Sequence, residues 1–156
     1  ARKGLEIARA AGAITVFNPA PAAPVPADIY ALCDYVIPNE TEAAALTGLP
    51  VDTDEQARKA GDALLAMGAK NALITLGARG ALLHNAKGSA LIPSFNAGKV
   101  VETAGAGDAF VGAFAASLAE GMEPAAAARF GCAAAGISVT RPGTAPAMPT
   151  RRIARG

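Results

Sequence analysis

Glu102-Thr103-Ala104-Gly105-Ala106-Gly107-Asp108-Ala109-Phe110 joins an extended segment to an apolar helix through a run of small residues. From Asp108 to Ala119, Phe110, Val111, Phe114 and Leu118 fall on one helical face, so the spacing predicts a helix whose first residue is acidic. Gly105, Ala106 and Gly107 let the backbone approach an anion closely, and the free N–H groups and dipole of a helix start favour negative charge there. Asp108, beside that cradle, is the residue type that accepts a hydroxyl proton when a phosphoryl group moves to an alcohol. On this motif alone a second reading stands: the glycines shape a tight turn and Asp108 caps a helix. No Lys follows the second glycine and G-x-G-x-x-G is absent from the turn, which disfavours a Walker-type nucleotidase and a dinucleotide-binding fold.

Upstream of this turn, Asn71 to Leu76 reads as a buried strand. Ala81 to His84 and Ser89 to Ile92, joined through Asn85-Ala86-Lys87-Gly88, read as a hairpin. A further extended piece precedes Thr103. Toward the N-terminus, a helix over Leu5 to Ala11 closes at Gly12, and a short β-branched run from Ala13 to Phe17 stops at Asn18-Pro19. The proline-rich Asn18 to Pro26 is a loop, because each Pro removes a donor and restrains its predecessor. A short helix to about Leu32, a strand at Tyr35–Ile37, and a helix from Asn39 to Leu46 capped by Gly48 follow. Asp52 or Thr53 caps another helix running to Met67. Downstream of the turn, Pro124 opens a last Ala-rich helix to Val139. Strands alternating with helices predict an α/β fold with a mainly parallel sheet flanked by helices and an antiparallel portion at the hairpin.

The chain has 156 residues, 52% of them hydrophobic and 17% charged, which suits one ordered domain. Aromatics make up 4% and Trp is absent, so base-stacking platforms are not expected. Net charge is +1, and Arg151, Arg152 and Arg155 read as a solvated end, so no nucleic-acid partner is expected. The longest nearly apolar stretch, Ala109 to Ala119, falls short of the roughly 20 residues that cross a bilayer. Cys33 and Cys132 are far apart, without metal or disulfide spacing, and fit a reducing cytoplasm. No signal peptide is legible; the first residues lead straight into an amphipathic pattern, as in a chain that begins within a domain. His84, the single histidine, reads as structural or exposed.

Thr103 to Ala115 resembles the C-terminal signature of the ribokinase (PfkB-type) carbohydrate kinases, and other stretches agree with it in order. Asn18-Pro19-Ala20-Pro21-Ala22 is similar to a stretch of the ribokinases in particular. Pro38-Asn39-Glu40-Thr41-Glu42-Ala43, with Leu46-Thr47-Gly48, resembles the family's Asn-Glu-x-Glu helix. Thr75-Leu76-Gly77-Ala78-Arg79-Gly80 resembles its nucleotide-edge turn, and Val139-Thr140-Arg141-Pro142-Gly143 its late loop.

The resemblance implies a three-layer ribokinase-like sandwich, of which residues 1–156 form the C-terminal nucleotide-binding and catalytic part. It also implies ATP-dependent phosphorylation of the primary hydroxyl of a small sugar, D-ribose first. Asp108 would be the base and a contact to the sugar, with Gly105, Ala106 and Gly107 donating N–H groups to the migrating phosphoryl. Asn39 and Glu42 would lie near the ATP phosphates, Glu42 orienting the hydration shell of Mg2+. Thr75, Gly77 and Gly80 would border the nucleotide. Cys132 falls at the adenine position, with core packing as the other reading. Glu102, Ala104, Ser138 and Gly143 would form a monovalent-cation (K+) site, with Glu102 also toward the sugar. Glu102 stands where relatives carry Asp, and Ala147 where many carry a hydroxyl. The N-terminal half and the β-sheet lid of the family are not matched, so the chain by itself is expected to be weakly active at most; a full-length form would be a homodimer. A non-catalytic nucleotide-binding fragment, another sugar or nucleoside kinase, and a purely structural domain are the alternatives.

Overall fold

The computed structural model describes residues 1–152. In chain order the elements are α1 (Arg2–Ala10), β1 (Val16–Phe17), α2 (Ala27–Tyr30), β2 (Tyr35–Val36), α3 (Glu40–Thr47), α4 (Asp54–Ala66), β3 (Asn71–Thr75), β4 (Ala81–Asn85), β5 (Gly88–Ile92), α5 (Ala106–Ala119) and α6 (Pro124–Ser138). Short 3-10 turns cover Gly77–Arg79 and Ala145–Ala147. The strands form one five-stranded mixed sheet in the order β1-β2-β3-β4-β5. β1 runs parallel to β2, with Val16 opposite Tyr35, and β2 parallel to β3, with Tyr35 opposite Asn71. The connections from β3 to β4 and from β4 to β5 are too short for a crossover, so that edge is antiparallel.

Two compact units are distinguishable, residues 1–76 with 82–90, and residues 77–81 with 91–156. In the first, α4 lies on β3 and α3 lies against both. Ala57, Ala60 and Leu64 present one face of α4, and they are fully buried with Val36, Ala72 and Ile74. Burial of Leu64 or Ile74 contributes about 1.5–3 kcal/mol each. α4 starts in a capping box: Thr53 Oγ1 accepts the Gln56 N–H at 3.2 Å, and Gln56 Oε1 accepts the Thr53 N–H at 3.2 Å. His84 is buried between Asp62 (Nε2 to Oδ1, 2.7 Å) and Ser89 (Nδ1 to Oγ, 2.5 Å), a structural tie between α4 and the hairpin.

The second unit is built on the α5–α6 pair. Phe110 and Phe114 stack with ring centroids 6.3 Å apart. Gly131 is needed opposite them, since a Cβ there would meet the Phe110 ring at 2.9 Å. Arg151 departs from the expected solvated end: its guanidinium lies 4.9 Å over the Phe130 ring and pairs with Glu120. Arg152 is exposed, and Arg155 lies outside the described residues.

Several expected boundaries moved: α1 begins at Arg2 and not Leu5, α2 ends at Tyr30 and not Leu32, and three further shifts have a cause in the contacts. The strand expected from Ala13 is paired only at Val16–Phe17: the Thr15 carbonyl still accepts the Tyr35 N–H at 3.0 Å, but the N–H and hydroxyl of Thr15 turn to a side chain and a loop. Its N–H donates to Asp34 Oδ2 at 2.9 Å and its hydroxyl to the Leu32 carbonyl at 2.6 Å. The extended piece before Thr103 joins no strand, since the N–H groups of Val101 and Glu102 both donate to the Val139 carbonyl. α5 begins at Ala106, not Asp108, because Gly105 supplies a left-handed start (φ 79°) that needs no capping side chain. Among the described residues no helix is long and apolar enough to cross a membrane.

Candidate functional site

In the first unit, the C-terminal ends of β2 and β3 gather three of the expected residues. Asn39 bridges to Thr75 in parallel register, and the Thr75 N–H donates to the Pro38 carbonyl at 3.0 Å. Strand C-termini are where open α/β sheets take up ligands. Asn39 is also the N-cap of α3. Its Oδ1 accepts the Glu42 N–H at 2.8 Å, while Glu42 Oε2 accepts the Asn39 N–H at 2.9 Å. Glu42 is buried, which sets aside a merely solvated helix carboxylate. Its other oxygen, Oε1, takes no donor among the described residues. One oxygen fixed and one free fits a carboxylate that holds waters of a magnesium ion, an ion that sheds its waters reluctantly.

Asn18, just past β1, reads from the sequence as the stop of that strand and as part of the resemblance; its Oδ1 is buried without a hydrogen-bond partner among the described residues. An amide at a strand end before Pro19 was the signal available for it.

In the second unit, the turn before α5 is left open. Gly105 is the N-cap and provides no side-chain bond; the Ala106 N–H reaches the Thr103 carbonyl at 3.2 Å, and the Ala109 N–H closes the first helical bond to Gly105 O at 2.9 Å. Among the described residues nothing accepts from the N–H groups of Gly105, Gly107 and Asp108. Two of the three expected donors, Gly105 and Gly107, are therefore free and Ala106 is engaged, while the N–H of Asp108 itself is a donor that sequence reasoning missed. A Cβ on Gly107 would meet nothing within 4 Å, so no other part of the described chain crowds that residue. These features fit a phosphate group.

The Asp108 side chain is exposed and makes no hydrogen bond or ion pair among the described residues. It stands at the third helical position and does not cap the helix. The capping alternative therefore falls, and the carboxylate is available to take a proton.

The turn at Gly77–Gly80 belongs to this unit. The Gly80 N–H donates to Gly77 O at 3.1 Å and Ser94 Oγ to Ala78 O at 2.7 Å. Gly80 is required as glycine: φ is 96°, and a Cβ would lie 1.9 Å from the Ile92 carbonyl oxygen. Cys132 is buried in α6, and burial pushes its thiol up to about 11, the behaviour of a packed core thiol.

Of the residues expected at a monovalent cation, Glu102 and Gly143 come together, with the Gly143 N–H donating to Glu102 Oε2 at 2.8 Å. Ser138 Oγ is engaged with the Ala135 carbonyl at 2.8 Å, the Ser138 carbonyl accepts from Arg141 at 3.2 Å, and Ala147 is buried and has no hydroxyl. Ala104 is exposed and brings only backbone. Side chains thus contribute one carboxylate, facing an N–H donor, and no free hydroxyl. The backbone carbonyls of Ala104 and Gly143 accept no hydrogen bond among the described residues, so any cation here would be held mainly by main-chain oxygens.

The pfkB family carbohydrate kinase profile matches residues 1–151. The chain is 40% identical to a ribokinase of Haemophilus influenzae over 94% of its own length and 48% of that protein's. It is 37% identical to a deoxyribokinase of Salmonella typhi, again over 94% and 48%. Among solved structures, Arabidopsis thaliana ribokinase complexed with ribose and ATP superposes with a TM-score of 0.92 at 33% identity, covering 97% of this chain and 49% of that one. The chain spans about half the length of the curated relatives it matches. A mixed sheet flanked by helices, a glycine-built helix start beside a free aspartate, and a match over nearly the whole chain agree: the chain belongs to the pfkB family of carbohydrate kinases.

Proposed function

We propose that the protein of which this chain is the catalytic part phosphorylates the primary hydroxyl of a small sugar with ATP, D-ribose being the first substrate. The single observation that carries this reading is the start of α5, where backbone donors without acceptors stand beside an uncommitted carboxylate. ATP supplies the phosphoryl group, and a magnesium ion on its phosphates would offset their charge. Asp108 accepts the hydroxyl proton as the sugar oxygen attacks the terminal phosphorus. The new O–P bond forms as the bond to the bridging oxygen of ADP breaks, and the N–H groups of Gly105, Gly107 and Asp108 take the negative charge of the moving group. Asn39 stands by the phosphates, and Glu42 holds waters of the magnesium ion through its free oxygen. Thr75, Gly77 and Gly80 line the nucleotide.

Ribose is favoured by the Asn18–Ala22 and Val139–Gly143 stretches. Deoxyribose is the nearest competitor, since a deoxyribokinase matches almost as well as a ribokinase. Two unpaired thiols, Cys33 and Cys132, support a cytoplasmic setting.

Replacing Asp108 with Asn tests the reading. Ribose-dependent ADP formation, slow as it is expected to be for this chain by itself, should fall by about 10²–10⁴-fold. ADP affinity should stay within about twofold, because a base is needed for transfer and not for nucleotide binding. An equal loss of both would make Asp108 a structural residue.

A further inference from the structure

We propose that Asp62, His84 and Ser89 form a second reactive site, in which Ser89 Oγ is an activated nucleophile that takes the acyl group of a small aryl ester. The proposal stands on the first unit alone and is independent of the kinase reading.

The three residues come from three elements, α4, β4 and β5. His84, the single histidine of the chain, is buried and has both ring nitrogens engaged. Its Nε2 lies 2.7 Å from Asp62 Oδ1, and its Nδ1 lies 2.5 Å from Ser89 Oγ. A carboxylate only accepts, so the neutral ring carries its proton on Nε2 and turns the lone pair of Nδ1 to the serine hydroxyl. The backbone of α4 holds the ring on this line: a Cβ on Gly61 would stand 2.7 Å from His84 Cδ2 and 2.9 Å from its Cγ. Ser89 is exposed on β5, the edge strand of the sheet, so its oxygen is within reach of a small molecule.

A nucleophile beside a base, with the base held by a third group, is the arrangement that makes a hydroxyl reactive. Ser89 Oγ attacks the acyl carbon while His84 Nδ1 takes the hydroxyl proton, and the Asp62 carboxylate stabilises the imidazolium. The bond from the acyl carbon to the phenolic oxygen then breaks. The proton passes from His84 to that oxygen, the phenol leaves, and the acyl group remains on Ser89. Water that gives a proton to the same imidazole releases the carboxylic acid and restores the serine. An aryl ester is the class because phenolate is a good leaving group and asks little of the site in stabilising charge. Ser89 and His84 touch the reacting atoms; Asp62 acts through His84 and is a positioning residue.

Incubation of the folded chain with para-nitrophenyl acetate, followed by mass spectrometry of its peptides, tests this. The expected product is an acetyl ester on Ser89, removed by hydroxylamine, which leaves acetyl amides on Lys87 and other amines in place. Ser89→Ala should abolish the hydroxylamine-sensitive label at this peptide. His84→Ala should slow acetylation of Ser89 by about 10²-fold or more. Asp62→Asn changes a side chain that is 73% exposed, so the core is untouched, and it should slow the reaction at least about tenfold. Ring 15N spectra of the single histidine in mildly alkaline buffer give a readout specific to Asp62: the proton on Nε2 in the parent, and a mixture of tautomers in Asp62→Asn. If His84→Ala does not fold, Asp62→Asn and Ser89→Ala decide. Acetylation confined to amines would overturn the proposal. So would acetylation of Ser89 as fast in Asp62→Asn, or in the urea-unfolded chain, as in the folded parent; the cluster would then be only a tie between α4 and the hairpin.

Discussion

α3 and α5 face the same problem at their first turns and meet it in opposite ways. Every helix start leaves N–H groups without intrahelical acceptors. At α3, Asn39 and Glu42 satisfy them reciprocally, with bonds of 2.8 and 2.9 Å that use Asn39 Oδ1 and one of the two Glu42 oxygens. At α5, the N-cap is Gly105, no side chain caps, and Asp108 is turned to no protein partner. The first start is closed by side chains; the second is open. Glycine at the N-cap gives up only about a few tenths of a kcal/mol relative to a capping side chain, and a Cβ on Gly107 would meet nothing within 4 Å.

If the two starts differ in this way, substitutions should separate stability from binding. Gly105→Ala should have the largest effect on stability, since it forces a left-handed Ala and presses on Thr144, already 3.3 Å away. A loss of about 2 kcal/mol is expected, read in thermal unfolding as a fall of about 4–8 °C. Gly107→Ala should weaken ATP binding about tenfold, equivalent to about 1.4 kcal/mol, because a methyl group enters the space in front of the turn. Its thermal midpoint should be unchanged or slightly higher, as Ala favours a helix over Gly.

Asn39→Ala should cost about 1 kcal/mol of stability and, because Asn39 is proposed to stand by the ATP phosphates, should weaken ATP binding as well. A Gly107→Ala variant that loses stability but keeps ATP affinity would erase the contrast. A separate effect, confined to alkaline pH, belongs to the buried thiols. Burial pushes Cys33 and Cys132 up to about 11 from an ordinary 9.0. The native state holds these protons where the unfolded state has lost them, so the contribution is complete below pH 9 and is lost as pH rises toward 11. Urea unfolding followed between pH 8 and 11 should show this as a gradual decline that weakens when either cysteine is replaced by Ala.

Most of the fold could be read from local chemistry. Thr53, Asn39, Gly48, Gly12 and Pro124 mark helix ends within a residue or so of those observed, because caps and breakers act on their immediate neighbours. Where reading failed, the deciding partner was distant or the signal was a missing side chain. The shortened β1 depends on Asp34, 19 residues from Thr15. The structural reading of His84 stands, but its partner Asp62, 22 residues away, is not legible in the sequence. α5 starts early because glycine carries no capping atoms for a reader to notice. At the candidate site, the type and order of residues were legible at Asp108 and at Asn39–Glu42. Which N–H groups stay free, and that Glu42 is buried, needed coordinates.

Calorimetric titration of the folded chain with ATP, with and without magnesium, tests the central claim most directly. The account predicts saturable binding that tightens with magnesium and is lowered about tenfold by Gly107→Ala. A chain that is folded by circular dichroism yet takes up no ATP under either condition would contradict it, and the open start of α5 would then have no nucleotide to hold.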